Sequence, residues 1–228
     1  MEVTERLVVA IDGPSGSGKS STSRGVASRL GLAYLDTGAM YRAATWLALS
    51  SDTDVDDAGA VAHLVKAAEI EISLDPASPT IAINGHDVTV AIREPAVSAA
   101  VSSVAANLAV RADLIARQKA LIAQAENGIV AEGRDITTVV APEARVRILL
   151  LADPDARVTR REAELGGKVD RVAVTDQVIR RDRDDARVAQ FEAAAPGVTV
   201  IDSTQLSLDE VIEAICDRVY QPTEKVSP

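Results

Sequence analysis

Residues 13–20 read Gly13-Pro14-Ser15-Gly16-Ser17-Gly18-Lys19-Ser20, and no other feature of the chain narrows its fold as far. The run matches the phosphate-loop pattern G-x-x-x-x-G-K-[ST] at every position. Glycines at this spacing let the backbone wrap a phosphate and turn its N–H groups inward. Such a loop needs a buried strand before it and a helix after it, with the positive end of the helix dipole facing the anion. Both flanks are present: residues 7–11 are apolar, and residues 20–30 are rich in Ser, Arg and Ala. The loop and the adjoining Ser21 are therefore expected to bind ATP. Lys19 belongs between the β- and γ-phosphates, and the Ser20 hydroxyl belongs on Mg²⁺.

Five short apolar runs, at 7–11, 32–35, 129–131, 146–151 and 198–201, lack strict alternation, as expected of parallel strands covered on both faces. Helical stretches at 20–30, 96–110 and 112–126 lie between them. This rhythm predicts an α/β fold, a five-stranded parallel sheet with helices on both faces. Residues 66–90 break it. Glu69-Ile70-Glu71-Ile72-Ser73-Leu74 alternates with period two, and Ile81-Ala82-Ile83 runs into Asn84-Gly85, a strong hairpin-turn signal. The expected organisation is a core of residues 1–62 and 104–220, an inserted subdomain at 63–103 with an antiparallel hairpin, and a flexible tail at 221–228.

The strand ends carry the remaining chemistry, because ligands of open α/β sheets sit beyond the carboxyl ends of the strands. Asp36-Thr37-Gly38-Ala39-Met40-Tyr41-Arg42 follows the second run and Glu132-Gly133-Arg134-Asp135 the third. Arg42 and Arg134 brought to one side of a sheet call for an anion between them, so a second phosphate-bearing ligand is expected beside ATP. No N-K-x-D tetrapeptide is present, which argues against a GTPase. Aromatic residues are 2% of the chain and its net charge is −10; neither suits nucleic acid or an anionic membrane as main partner. No apolar run reaches 18 residues, so no membrane span is expected. One cysteine, Cys216, excludes an internal disulfide. The cytoplasm is the default location, and nothing demands a dimer, so a monomer is expected.

Basic residues gather late. Between Arg157 and Arg187 there are nine basic and seven acidic residues, a local +2 on an acidic protein. Arg180, Asp184 and Arg187 have the 0, +4, +7 spacing of one helix face. Arg157, Arg160 and Arg161 precede a Gly166-Gly167-Lys168 tip. A helix–turn–helix of this kind, over about 155–187, fits a phosphate-covering lid; a salt-bridged, solvated helix is the plainer reading of the same residues.

Taken together, GPSGSGKS, LDTGAMYR, the inserted hairpin, the run from Ile92 to Arg111, EGRDITTVV and the R-x-x-x-D-x-x-R helix resemble the bacterial cytidylate kinase family over residues 7–203. The resemblance implies phosphorylation of CMP and dCMP by ATP. It implies that Arg42, Arg134 and Arg187 hold the acceptor phosphate, that Ser102, Arg111 and Asp135 read the cytosine edge, and that Thr37 and Tyr41 lie beside them. Arg180 and Asp184 match the pair on the sugar hydroxyls. Arg180-Arg181-Asp182 permits two registers, and Arg180 alone keeps both +4 to Asp184 and +7 to Arg187. Arg160 is assigned to the transferring group beside Lys19, Arg134 and Arg187, and Arg157 and Arg161 to the ATP phosphates, although the sequence leaves open which lid arginine touches the transferring group.

The acceptor in such a reaction is a phosphate with a second pKa of about 6, so no catalytic base is required. His63 and His86 lie near no strand end and are expected to be surface residues. Two other readings stay open: a kinase for another small acceptor, such as UMP, AMP or shikimate, and a binding module switched by ATP.

Overall fold

The computed structural model describes residues 6–164, 171–186, 189, 191 and 193–221. Its main sheet has the parallel order β2-β6-β1-β7-β8. The strands are β1 (Val8–Asp12), β2 (Ala33–Asp36), β6 (Ile129–Gly133), β7 (Val146–Leu151) and β8 (Thr199–Asp202). All five expected strands are present, as is the parallel sheet covered on both faces. Helices α1 (Lys19–Leu30) and α8 (Leu208–Tyr220) cover one face, where Val26 and Ile215 pack with Val9, Ile11 and Ile148. The helices α2 (Thr37–Ser50), α4 (Pro95–Ala106) and α5 (Leu108–Gln124) cover the other with Met40, Val104 and Leu114 against Leu35 and Ala131. With so few aromatics the core is aliphatic, and close helix contact replaces bulk. At Gly25 a Cβ would stand 2.2 Å from Ile212 Cδ1, so any larger residue there would force the Ile212 side chain of α8 to move.

Several strands run one or two residues beyond the apolar runs. Asp12, Asp36 and Glu132 thus lie inside β1, β2 and β6 and are buried. A buried carboxylate needs donors. Asp12 accepts from the Ile136 and Thr137 amides at 2.9 and 2.8 Å and from the Thr137 hydroxyl at 2.7 Å. Burial pushes its pKa up, and these donors oppose the shift. The contacts anchor a π-type turn over Ile136–Val140 beneath the end of β1.

The insertion follows α3 (Ala58–Ala67) and is a three-stranded antiparallel sheet, β3 (Ile70–Ile72), β4 (Ile81–Ile83) and β5 (His86–Asp87). Asn84 and Gly85, with φ of 50° and 75°, form its tight turn. Arg117 of α5 ties this region to the core by donating to carbonyls at the end of α3, Ala68 O at 2.7 Å and Val65 O at 3.2 Å. The helix expected at 96–110 is not continuous. Asn107 accepts from the Ala109 and Val110 amides at 3.1 and 3.3 Å. This side-chain cap starts a new helix, and α4 and α5 meet at 95°. Among the described residues no single helix is long and apolar enough to cross a membrane.

Helices α6 (Pro154–Glu164) and α7 (Arg171–Asp185) follow β7. The Gly166-Gly167-Lys168 tip, Arg187 and all but the first residue of the expected tail lie outside the described residues.

Candidate active site

The phosphate loop joins β1 to α1 as its motif requires. Gly16 and Gly18 have φ of 76° and 88°, which side-chain-bearing residues adopt at a cost, and Gly18 caps α1. Lys19 Nζ donates to Pro14 O at 3.2 Å. Two clefts open on either side of this loop. One lies over the carboxyl ends of β2 and β6, where Lys19 and Ser20 meet Thr37, Tyr41, Arg42, Arg93, Arg111, Glu132, Arg134, Asp135, Arg161 and Asp185. The other lies over the α1 side, between residues 16–22, Arg160, Ser203 and Leu208.

Thr37, Tyr41, Arg42, Arg111, Arg134 and Asp135, all picked from the sequence, line the first cleft, and Ser102 does not. Thr37 donates its hydroxyl to Glu132 O at 2.7 Å. The approach is close enough that a Cβ at Gly133 would lie 2.5 Å from Thr37 Oγ1. Tyr41 is buried beside Arg111 and Asp135, and burial pushes its phenol up to about 12, so it stays a neutral hydroxyl. Arg42 pairs with Asp36 at 2.9 Å, and its buried Nε has no hydrogen-bond partner. Arg111 pairs with Asp135. Arg134 lies 4.7 Å over the Phe191 ring, donates to Gly13 O, and donates from Nε to Asp185 Oδ2 at 3.0 Å. Ser102 donates to Asp185 Oδ1 at 3.0 Å.

The lid arginines divide differently from the sequence assignment. Arg160 turns away from the first cleft: it donates to Ser203 O at 2.6 Å, Ser203 Oγ at 2.9 Å and Ser17 O at 3.3 Å, and it lines the second cleft. Arg161 lines the first. Arg157 lines neither cleft; it pairs with Asp182 and donates to Ser15 O at 3.1 Å.

Helix α7 also presents a face other than the expected one. Arg180 is exposed, Asp184 is half-buried, and neither lines a cleft. Val174, Asp182 and Asp185 are buried instead. The 0, +4, +7 spacing fits two adjacent faces of this helix, and packing selects the one that carries Val174.

Asp36, Arg93, Glu132 and Asp185 line the first cleft, and Asp182 pairs with Arg157 beneath the phosphate-loop residue Ser15; none of these was singled out from the sequence. Asp36 and Glu132 follow apolar runs directly, and a carboxylate at a strand's carboxyl end is the signal that could have found them. Glu132 accepts from Tyr34 Oη at 3.0 Å. Burial and the neighbouring Asp36 push its pKa up, against Lys19, Ser20 and Tyr34. Asp36 caps α2 through Ala39 N–H at 2.8 Å. Burial opposes its ionisation, but Arg42, the Ala39 amide, Arg93 and Lys19 outweigh burial and hold its pKa below 3.8.

Asp36 therefore stabilises the fold when ionised above about pH 4, and this contribution fades as pH falls through the lowered value. Asn also caps helices well, so Asp36→Asn isolates the charge. Urea unfolding at pH 7 should show a loss of about 3 kcal/mol, and the gap to wild type should narrow below about pH 4.

The Ser20 hydroxyl shares the first cleft with the Asp36 and Glu132 carboxylates. Oxygen donors of this kind suit Mg²⁺, so the residues present fit that ion beside a polyphosphate.

The cytidylate kinase family model matches residues 9–221. A cytidylate kinase of Cutibacterium acnes is 54% identical over 220 residues, covering 95% of this chain and 97% of that protein. One from Streptomyces avermitilis is 45% identical, covering 94% and 93%. A bifunctional pantoate ligase/cytidylate kinase of Prochlorococcus marinus is 44% identical, covering 97% of this chain and 47% of that longer protein. Among solved structures, an uncharacterized protein from Eubacterium ventriosum superposes with a TM-score of 0.52 at 12% identity, covering 95% of this chain and all of that one, a likeness of fold. With a phosphate loop, an arginine-lined cleft beside it, a family model matched over residues 9–221, and the Cutibacterium and Streptomyces cytidylate kinases matched over nearly their whole length, the chain belongs to the cytidylate kinase family.

Proposed function

We propose that this protein transfers the γ-phosphoryl group of ATP to CMP and dCMP, giving ADP and the corresponding diphosphate. The observation that carries this reading is the first cleft, in which Arg42, Arg134, Arg111 and Asp135 face Lys19 across the end of the sheet. A switched binding module has no use for such a second anion site. Membership in the family favours cytidine over the UMP alternative.

ATP lies along the phosphate loop with its nucleoside toward Arg160 and Ser203. Mg²⁺, held through Ser20, supplies neutralisation of phosphate charge when bound. Lys19 and Arg161 face the transferring group, Arg42 and Arg134 hold the acceptor phosphate, and Arg187 joins them. The Asp135 carboxylate accepts from the exocyclic amine of cytosine, and Arg111 and Ser102 donate to its ring acceptors. Alignment and charge neutralisation then carry the reaction. No proton acceptor is needed for an acceptor already ionised, and His63 and His86 are exposed away from the clefts. The segment 63–103 frames the acceptor, and the lid over about 155–187 excludes water. Phosphorylated nucleotides as substrates place the activity in the cytoplasm, and one chain supplies both clefts, so a monomer suffices.

A coupled assay of ADP formation across CMP, dCMP, UMP and AMP tests the reading. CMP and dCMP should give rapid, acceptor-dependent ADP release, with UMP and AMP slower by at least about 100-fold. Equal rates with CMP and UMP would remove the cytosine-reading role of Asp135.

A further inference from the structure

One continuous set of ion pairs and hydrogen bonds ties the phosphate loop to Arg134 and Asp185 of the first cleft, and its centre is a residue that lines neither cleft. Asp182 of α7 is 9% exposed. Its Oδ1 accepts from the Ser15 amide at 2.9 Å, at the apex of the phosphate loop. Its Oδ2 pairs with Arg157 of α6. Arg157 in turn donates to the Ser15 carbonyl at 3.1 Å. Both backbone groups of Ser15 are thus held by a guanidinium and a carboxylate that also hold each other. Loop apex and lid helices cannot shift independently without breaking this ring. The same Oδ1 also faces Arg134, whose Nη2 lies 3.7 Å away. Arg134 is held at 3.0 Å by Asp185, three residues further along α7, and Asp185 accepts from Ser102. A path therefore runs from Ser15 of the phosphate loop to Ser102 of α4, through Arg134 and two carboxylates of one helix.

We infer that Asp182 is a positioning residue that couples the two substrate sites, so that occupancy of the acceptor cleft strengthens ATP binding and the reverse. This rests on the reading above that Arg134 and Ser102 contact CMP. The physical basis is competition for Arg134. Its guanidinium is shared among Asp182, Asp185 and the Gly13 carbonyl, and an acceptor phosphate draws it toward the cleft. The less Asp182 is shared with Arg134, the more its charge is committed to Arg157 and the Ser15 amide. That commitment fixes the shape of the loop apex and the seating of the lid. Charge-assisted contacts of this kind are stronger than neutral ones and falter when one partner is neutralised. Coupling between sites is reciprocal, so either nucleotide can report it. Asp182→Asn keeps the size of the side chain and an oxygen for the Ser15 amide, and removes the charge that Arg157 and Arg134 share.

The test is calorimetric titration of a non-hydrolysable ATP analogue into the full chain, with and without saturating CMP, on wild type, Asp182→Asn, Arg157→Gln and the exposed control Arg183→Gln. Wild type and Arg183→Gln should bind the analogue at least about 5-fold tighter with CMP present. In Asp182→Asn and Arg157→Gln the ratio should fall toward 1 while CMP alone still binds. A role confined to stability would lower the melting temperature and leave the ratio intact. An unchanged ratio in either variant overturns the inference, as does a ratio of 1 in wild type. If Asp182→Asn does not fold, the Arg157→Gln ratio decides. Absence of CMP binding to wild type would overturn the functional reading itself, an outcome distinct from CMP binding without coupling.

Discussion

Asp135→Ala should lower kcat/KM for CMP by about 10²–10³-fold and change that for UMP by less than about 10-fold, so that base selectivity collapses. The size follows from what is left behind. Asp135 is buried and paired with Arg111, which is itself largely buried. Removing Asp135 leaves Arg111 unpaired with either acceptor, a cost borne mainly in stability, and leaves the cytosine amine alone without its buried charged partner, a loss of about 2–5 kcal/mol. UMP carries no exocyclic amine, so it loses no hydrogen bond to the carboxylate and suffers mainly from the disturbed Arg111. A site built to hydrogen-bond a substrate group rejects the analogue lacking it far better than a merely shaped pocket does. Steady-state kinetics with both acceptors checks this. A parallel loss for CMP and UMP would mean that Asp135 supports the fold of the cleft rather than reading the base.

Lys19→Ala should lower kcat by at least about 10²–10³-fold with a small change in the KM for CMP. The Lys19 ammonium sits at the start of α1 and leans onto the Pro14 carbonyl, within the field of Asp36 and Glu132. Its charge is thus held over the phosphate loop, which in the proposed reaction is where the β- and γ-phosphates of ATP would meet. Charge that develops only in transfer is stabilised by such a preplaced cation, which is why kcat and not acceptor affinity carries the loss. The helix itself needs no lysine to form, because Gly18 provides its cap. An intact melting temperature beside the lost rate separates the chemical role from a structural one.

The parts of this architecture that were legible in the sequence are those fixed by local chemistry. The phosphate loop is written in glycines and one lysine, the hairpin turn in Asn84-Gly85, and the buried strands in runs of Val, Ile and Leu. Arg42, Arg134 and Asp135 were placed together because residues after parallel strands share one end of the sheet, whereas Arg111, in the first turn of α5, was reached only through the family resemblance. What stayed hidden depends on tertiary choice. Helix α7 offers Arg180/Asp184 and Asp182/Asp185 on adjacent faces, and tertiary packing buries the second together with Val174. Arg157, Arg160 and Arg161 are one turn of one helix, and their divergence into three directions depends on Ser15, Ser203 and the first cleft. Asn107 looked like a helical residue within an Ala/Val-rich stretch until its side chain was seen to cap α5. Asp36 and Glu132 were hidden for another reason: a sequence reading that ends each strand where its apolar run ends puts a following carboxylate in a loop.

The measurement that reaches the centre of this account follows the γ-phosphoryl group itself. ATP labelled at the γ-phosphorus is mixed with CMP and the protein, and the products are separated. The account predicts that the label appears in the β-phosphate of CDP, in step with ADP and with little free phosphate. Label found in inorganic phosphate, at a rate indifferent to CMP, would contradict it, because the two clefts would then not hold donor and acceptor face to face.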